Sequence, residues 1–328
     1  MLKTHVHNAG QRVVEWLYSK QLQVDSKWAI QTGHGFKWWP CDRHQTVEVI
    51  GEKHDKEAGL SAQFVSIRTP IATEVELSDI NLAAIGSAIM HYATMAGPVY
   101  DEKEKTLGLC SLVAVHDDVE EQMGGFLSLA SLLQLDAATA MGKVFDDAGN
   151  GVNALSHHPT SGVREVPDEL TKAVQAVVIP AGNEPVQWPK EEFTESVEKY
   201  MQTPPSLMAT SGQASLTVEF PYGEHSSLCR MTTKDAHPRY GNGLLFVQSF
   251  PFPTMTPTQG TKMALVLNAQ ELNTEPAGYG LGTFYFDDDT MKFVSFFPNV
   301  SYRPGLLPIL YFTAASRADQ IEKAFAGS

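Results

Sequence analysis

Apolar and polar residues follow the same succession of patterns twice along this chain. Helical spacing comes first, in residues 11–20 and again in residues 191–202. Strand-like segments follow in each half, and in one of them Leu216, Val218 and Phe220 alternate with polar residues. That alternation predicts a strand with one buried and one exposed face. The predicted strands cover residues 28–33, 45–52 and 59–67 in the first half and 206–211, 214–220 and 243–250 in the second.

A central helix is predicted next in each half, and here the two halves match best. Ser78 can cap the first helix, and a single apolar stripe then follows at helical spacing: Leu82, Ile85, Ile89 and Tyr92. Adding 180 to each of these numbers gives a second set at the same spacing: Lys262, Leu265, Ala269 and Leu272. The last three of these residues are apolar. Thr256-Pro257 predicts the start of the second helix, as a cap residue followed by proline at the first helical position.

A hairpin and a closing helix are predicted at the end of each half. The hairpin turns, residues 101–105 and 287–289, are both charged, and the closing helices cover residues 119–141 and 306–325. The predicted fold is therefore α+β, with two tandem α-β-β-β-α-β-β-α repeats, each an antiparallel sheet with helices on one face. Because equivalent apolar faces are self-complementary, we expect the repeats to pack as a pseudo-dimer within a monomeric chain.

The residues between the two patterns are rich in glycine, proline and polar side chains, which is typical of a linker. We therefore predict a first repeat over residues 1–146, a linker over residues 147–189 with a short helix at 167–178, and a second repeat over residues 190–328.

This order of elements resembles the class I type III secretion chaperone fold and its YbjN-like relatives, over both halves. The segments HPRYGNGLL (237–245) and FFPNVSYRPGLL (296–307) are also similar to segments of tandem YbjN-like proteins that have no established activity. The resemblance implies a protein-binding role and supplies no catalytic residue. The leading hypothesis is a non-enzymatic chaperone-like or adaptor protein that binds a polypeptide partner. The alternative is a small-molecule enzyme with a site in the cleft between the repeats.

Charge and cysteine content narrow the class of partner and the compartment. The 328 residues carry 38 acidic and 24 basic side chains, a formal net charge of -14, which repels nucleic acid and anionic membrane surfaces. Three distant cysteines suggest neither a disulfide framework nor a zinc site, and the apolar runs are too short for a membrane span. We expect a cytoplasmic protein with neither a nucleic-acid nor a membrane partner.

The candidate chemical motifs favour structural interpretations. Gly241-Asn242-Gly243 precedes a strand, whereas a dinucleotide site requires glycines between a strand and a helix, so we predict a turn. The histidines, including His5-Val6-His7, lack the spacing of metal ligands, and Asp287-Asp288-Asp289 lacks the spaced oxygens that calcium requires. The sequence carries neither a G-x-S-x-G motif nor a P-loop. We therefore assign no catalytic, cofactor or metal residue and expect no cofactor.

Aromatic residues are the candidates for partner binding. Trp38 and Trp39 are adjacent, and Phe250 and Phe252 flank a proline. Aromatic side chains are enriched at protein interfaces, but large aromatics are also mostly buried in cores. Core packing is the favoured interpretation for all four, and a partner-binding patch is the functional alternative.

Overall fold

The chain folds into two antiparallel sheets flanked by helices. The computed structural model describes residues 8–55, 60–78, 82, 85–86, 94–173, 187–189, 191–195, 206–210, 213–252, 255–273 and 280–325. The predicted α+β class with antiparallel sheets is confirmed. None of the described helices is long and apolar enough to cross a membrane.

Among the described residues, the first sheet has seven strands: β1 (Ala29–Gln31), β2 (Gly35–Trp38), β3 (Gln45–Asp55), β4 (Leu60–Thr73), β5 (Gly97–Asp101), β6 (Thr106–Val115) and β7 (Val152–Asn153). Their spatial order is β1-β2-β3-β4-β6-β5, with β7 paired to β4. Helix α1 (Ala9–Trp16) and helix α2 (Glu120–Asp147) pack together on one face of this sheet. Val47 and Ile67 on the sheet join Val13 and Leu127 on the helices in one buried core.

In the part of the chain that the structure describes, the second sheet has six strands: β8 (Ser206–Thr210), β9 (Gln213–Tyr222), β10 (His225–Thr232), β11 (Gly243–Phe250), β12 (Thr283–Asp287) and β13 (Thr290–Pro298). Their order is β8-β9-β10-β11-β13-β12, which repeats the strand order of the first sheet. Helix α3 (Pro257–Asn273) precedes β12, and helix α4 (Leu306–Phe325) follows β13 and contacts β9.

The sequence predicts three strands before the central helix of each half. Among the described residues, each half has four. The missed strands are β2, Gly35–Trp38, and β10, His225–Thr232. Strand β2 is only four residues long, and β10 is mostly polar, so neither has a strong apolar alternation. Cross-strand pairing stabilises both, because each lies between two other strands of its sheet.

Several predicted local features are confirmed. The second central helix begins at Pro257, and Thr256 and Gln259 cap it reciprocally: the Gln259 amide donates to the Thr256 hydroxyl (3.3 Å) and the Thr256 amide to Gln259 Oε1 (3.0 Å). Leu82 and Ile85 are helical and buried. Residues 89 and 92, and the histidines of residues 5–7, lie outside the described residues. Asp288 and Asp289 form a hairpin turn in the left-handed region, with φ of 47° and 55°.

Gly241 and Gly162 close two identical loops with the sequence His-Pro-x-x-Gly. In each loop the amides of histidine and glycine donate to the carbonyl of the other residue, at 2.8–2.9 Å, and the glycine has φ above +70°. Nδ1 of His237 accepts the amides of Arg239 and Tyr240, as Nδ1 of His158 accepts that of Ser161. The predicted turn at Gly241 is therefore confirmed.

Residues of the linker region pack on the first half. Strand β7 pairs with β4, the Ala154 amide donates to the Ile71 carbonyl (3.0 Å), and Arg164 Nη1 donates to the Trp39 carbonyl (2.9 Å). The short helix predicted at 167–178 is present over residues 169–173, and residues 174–178 lie outside the described residues. The boundaries of the three predicted segments stay predictions.

Candidate functional site

The face of the first sheet opposite α1 and α2 carries a cleft of about 620 Å³. Its lining side chains come from β2, β3, β4, β6 and β5, which are consecutive neighbours in the sheet. The floor is a straight cross-strand row, since Lys37 pairs with Thr46, Thr46 with Arg68, and Arg68 with Cys110. Val99 lies at the far end, on β5. We call this cleft, with its floor row and its wall at residues 154–156, the trough.

Strand periodicity explains why the floor is polar while the sheet is well packed. Side chains alternate between faces, so Val47 and Ile67 point toward α1 and α2 whereas Thr46 and Arg68 point into the trough. Four strand spacings of about 4.8 Å make the trough roughly 19 Å long from β2 to β5. That length is much greater than the width of one side chain, so the trough suits an extended ligand.

Segment 154–156 forms the wall next to β2 and β3. The Ser156 amide donates to the Asp42 carbonyl (2.8 Å), and the Trp39 indole donates to the Ser156 hydroxyl oxygen (3.1 Å). Ser156 Oγ lies 2.9 Å from His44 Nδ1. Because the indole can only donate, the hydroxyl hydrogen of Ser156 is free to point to His44. Leu155, between these anchors, is 55% exposed at the rim.

The second half of the chain reaches the floor through the end of α3. Asn273 Oδ1 accepts a hydrogen bond from Arg68 Nη2, and the Leu272 carbonyl accepts one from Cys110 Sγ at 3.3 Å. Arg68 Nε also donates to Ser66 Oγ (3.3 Å). The trough is therefore built by the first sheet and closed at one point by the other half.

Burial shifts the pKa values of the groups that line the trough. Desolvation lowers the pKa of His44 to about 4, helped by the nearby charges of Lys37 and Arg43. Desolvation also lowers the pKa of Lys37, whose ammonium lies 5.2 Å from the centre of the Trp39 ring. Burial raises the pKa of the Cys110 thiol.

These shifts argue against acid–base or nucleophilic chemistry in the trough. The contact between Ser156 and His44 has the form of a nucleophile next to its base. With a pKa of about 4, however, His44 is a weak base near neutral pH. Cys110 is a buried thiol whose raised pKa disfavours the reactive thiolate. Among the described residues, His44 has no carboxylate hydrogen-bond partner to orient it, and no group of three or more His, Cys, Asp and Glu side chains could hold a metal ion.

The four aromatic candidates do not form one exposed patch. Trp38 and Phe250 are buried in the core, where Trp38 Nε1 donates to Gln45 Oε1 (3.2 Å) and Phe250 packs near Phe284. Phe252 is half-buried against the same core. Trp39 is also buried, but it supports the trough through Ser156 and Lys37. The packing interpretation fits Trp38 and Phe250, and a partner-binding role for the four stays a prediction.

Sequence reasoning missed Lys37, Thr46 and Arg68, which form the floor. The available signal was weak: Lys37 lies between two apolar residues, but Thr46 and Arg68 each have one apolar and one polar neighbour, Val47 and Gln45 for Thr46 and Ile67 and Thr69 for Arg68. Comparisons with protein-family models, curated proteins and solved structures gave no match.

The shifted pKa of His44 leads to a testable pH dependence of stability. Between about pH 6.5 and pH 4 the unfolded chain binds a proton at His44 that the folded chain excludes, so stability falls as pH falls through this window. We expect His44→Gln to reduce this pH dependence, as measured by urea unfolding at pH 6.5 and pH 4.5. The exposed His34 gives the control, since His34→Gln should leave the slope unchanged. An unchanged slope in His44→Gln would contradict the assignment.

Proposed function

We propose that this protein binds an extended segment of another polypeptide in the trough, as a non-enzymatic chaperone-like or adaptor protein. The observation that carries the proposal is the floor row Lys37, Thr46, Arg68 and Cys110, in a cleft that is lined by five neighbouring strands and covered by the end of α3 at Cys110. Its length of roughly 19 Å matches about six residues of extended chain. The floor and walls present hydroxyls, cations and apolar side chains side by side, which suits a mixed peptide surface.

A small-molecule enzyme with a site between the halves is supported less well. The trough does adjoin the other half, at Asn273 and Leu272. Its ionisable groups, however, are held in states that disfavour catalysis, because His44 has a pKa of about 4 and the pKa of Cys110 is raised. A binding role requires neither a base nor a nucleophile.

We propose further that the two halves are tandem repeats packed as a pseudo-dimer, as the resemblance to YbjN-like and secretion chaperone-like proteins implies. The identical strand orders of the two sheets support this. Equivalent hydrogen bonds also recur: Ser111 Oγ donates to the Met95 carbonyl (2.7 Å), and Ser295 Oγ donates to the Leu281 carbonyl. Helix α3 contacts β12 of its own sheet and β5 and β6 of the other.

The central helices support the same arrangement. Ile85 and Leu265, which the sequence pairs at an offset of 180, belong to one buried cluster. Val294 of the second sheet belongs to this cluster with Ile71 of the first, so the apolar surface that each half would expose alone is covered by the other. A monomeric chain with two repeats would thus present the surface of a chaperone dimer.

A substitution that fills the trough tests the binding proposal. Thr46→Trp places an indole at the centre of the floor row, and Arg230→Trp places one at the corresponding position of the second sheet, where Arg230 pairs with Thr217 and Val247. After affinity purification from the native host, we expect Thr46→Trp to recover at least about tenfold less of a polypeptide partner, identified by mass spectrometry, with Arg230→Trp unchanged. Equal recovery by the two variants would exclude the trough. Recovery of a small metabolite alone would favour the enzyme.

A further inference from the structure

The trough concentrates positive charge in an acidic protein. The chain has a formal net charge of -14, yet Lys37 and Arg68 lie in the same floor row with only Thr46 between them. Two strand spacings separate their backbones by about 10 Å. Among the described residues, neither cation has a carboxylate within ion-pair distance.

The partners of these two cations are neutral. Arg68 donates to Ser66 Oγ and Asn273 Oδ1, and the Lys37 ammonium lies over the Trp39 ring. A half-buried cation loses hydration, which is why burial lowers the pKa of Lys37. An incoming anion would restore the lost electrostatic stabilisation, and guanidinium groups hold carboxylates with two parallel hydrogen bonds.

The carboxylates of the chain that line the trough are at its opposite end. Asp101 ends β5, and its Oδ1 accepts the amides of Lys103 and Glu104, each at 3.0 Å, within the hairpin turn. Asp101 and Glu104 are exposed there, on the far side of the floor from Lys37. Asp101 and Glu104 therefore make the hairpin end of the trough less favourable for an anion than the Lys37 end.

The Thr46 hydroxyl adds a neutral hydrogen-bond donor near the two cations, because Thr46 lies between Lys37 and Arg68 in the row. The corresponding row of the second sheet runs Thr217, Arg230, Val247 and Val294. Valine replaces arginine at its third position, and Arg230 lies 3.6 Å from Asp235. The paired-cation arrangement is thus a feature of the first sheet.

We infer that the Lys37–Arg68 end of the trough binds side-chain carboxylates of the polypeptide segment, so that the protein selects segments with acidic residues two positions apart. This inference rests on the proposed function. Glutamates at positions i and i+2 of an extended segment point to the same side and are about 7 Å apart, so their long side chains can reach both cations. Small dicarboxylates offer the same chemistry, and the experiment separates them from a peptide.

Peptide binding to the full chain, measured by fluorescence anisotropy, tests the inference. The probes are fluorescein-labelled Thr-Val-Thr-Glu-Val-Glu-Thr-Val-Thr and the same peptide with both glutamates replaced by glutamine. We expect the glutamate peptide to bind at least about tenfold more tightly, an advantage lost in Lys37→Gln/Arg68→Gln and weakened by salt. Arg230→Gln, a control on the second sheet, should keep the advantage. Thermal unfolding of each variant verifies that it is folded.

The outcomes separate this inference from the proposed function. Equal binding of the two peptides would overturn the selectivity for acidic segments and leave polypeptide binding standing. Binding of neither peptide, together with no polypeptide partner from the native host, would overturn both. If glutarate binds the wild type but not the double variant, and neither peptide binds, the two cations hold a small anion. That result would overturn the inference that the carboxylates belong to a polypeptide. An advantage retained in Lys37→Gln/Arg68→Gln would place the anion site elsewhere.

Discussion

Replacing Arg317 with methionine is expected to lower the free energy of unfolding by about 3–5 kcal/mol. Arg317 and Glu271 form an ion pair between α4 and α3, with Nη2 to Oε1 at 2.6 Å and Nε to Oε2 at 3.1 Å. Their side chains are 1% and 6% exposed. The guanidinium also lies 3.5 Å from the centre of the Phe293 ring. Methionine keeps most of the volume but leaves the carboxylate of Glu271 buried without its cation.

The double variant Arg317→Met/Glu271→Leu distinguishes lost pairing from lost packing. Removing both charges also removes the desolvation penalty, so the double variant should be much closer to the wild type than the single variant. Lys323→Met breaks an exposed pair with Asp319 on the same helix and should leave the urea midpoint unchanged, because surface pairs contribute little. A single variant as stable as the wild type would show that Glu271 finds another partner.

Replacing Asp136 with alanine is expected to weaken the contact between the two halves and to cost about 2–4 kcal/mol of unfolding free energy. Asp136 on α2 accepts hydrogen bonds from Arg239 Nε (2.5 Å), Arg239 Nη2 (2.7 Å) and the Tyr240 hydroxyl (2.8 Å). Both donors belong to the loop before β11, in the other half. Tyr240 is 1% exposed, so its hydroxyl would lose this acceptor in a buried position.

A double-mutant cycle measures this coupling. Tyr240→Phe removes the hydroxyl, and the loss in Asp136→Ala/Tyr240→Phe should be smaller than the sum of the single losses by more than 0.5 kcal/mol, as is typical of contacting residues. Asp147→Ala, at the exposed end of the same helix, is the matched control and should not shift the urea midpoint. Additive losses in the cycle would indicate that Asp136 stabilises only its own half.

Much of the fold follows from local patterns because they report which face an element buries. The stripe of Leu82 and Ile85 and the cap at Thr256-Pro257 each describe a few consecutive residues, and the structure confirms them. Strand β10 was not predicted, because most of its residues are polar and the two buried apolar residues, Cys229 and Met231, give only a weak alternation. Local patterns fail where neighbouring strands, and not the strand itself, supply the stabilisation.

The trough shows the limit of the same reasoning. The sequence by itself determined only that Lys37, Thr46 and Arg68 each adjoin at least one apolar residue, so that a strand there would turn their side chains away from the core. The sequence also determined the net negative charge of the chain. In so acidic a chain, two cations without carboxylate partners indicate where an anion would bind. Only the tertiary structure decided that these residues form one row and that segment 154–156 and Asn273 flank it. The reason is physical: cross-strand register depends on hydrogen bonds between distant segments, and a shift of one residue would turn every side chain to the other face.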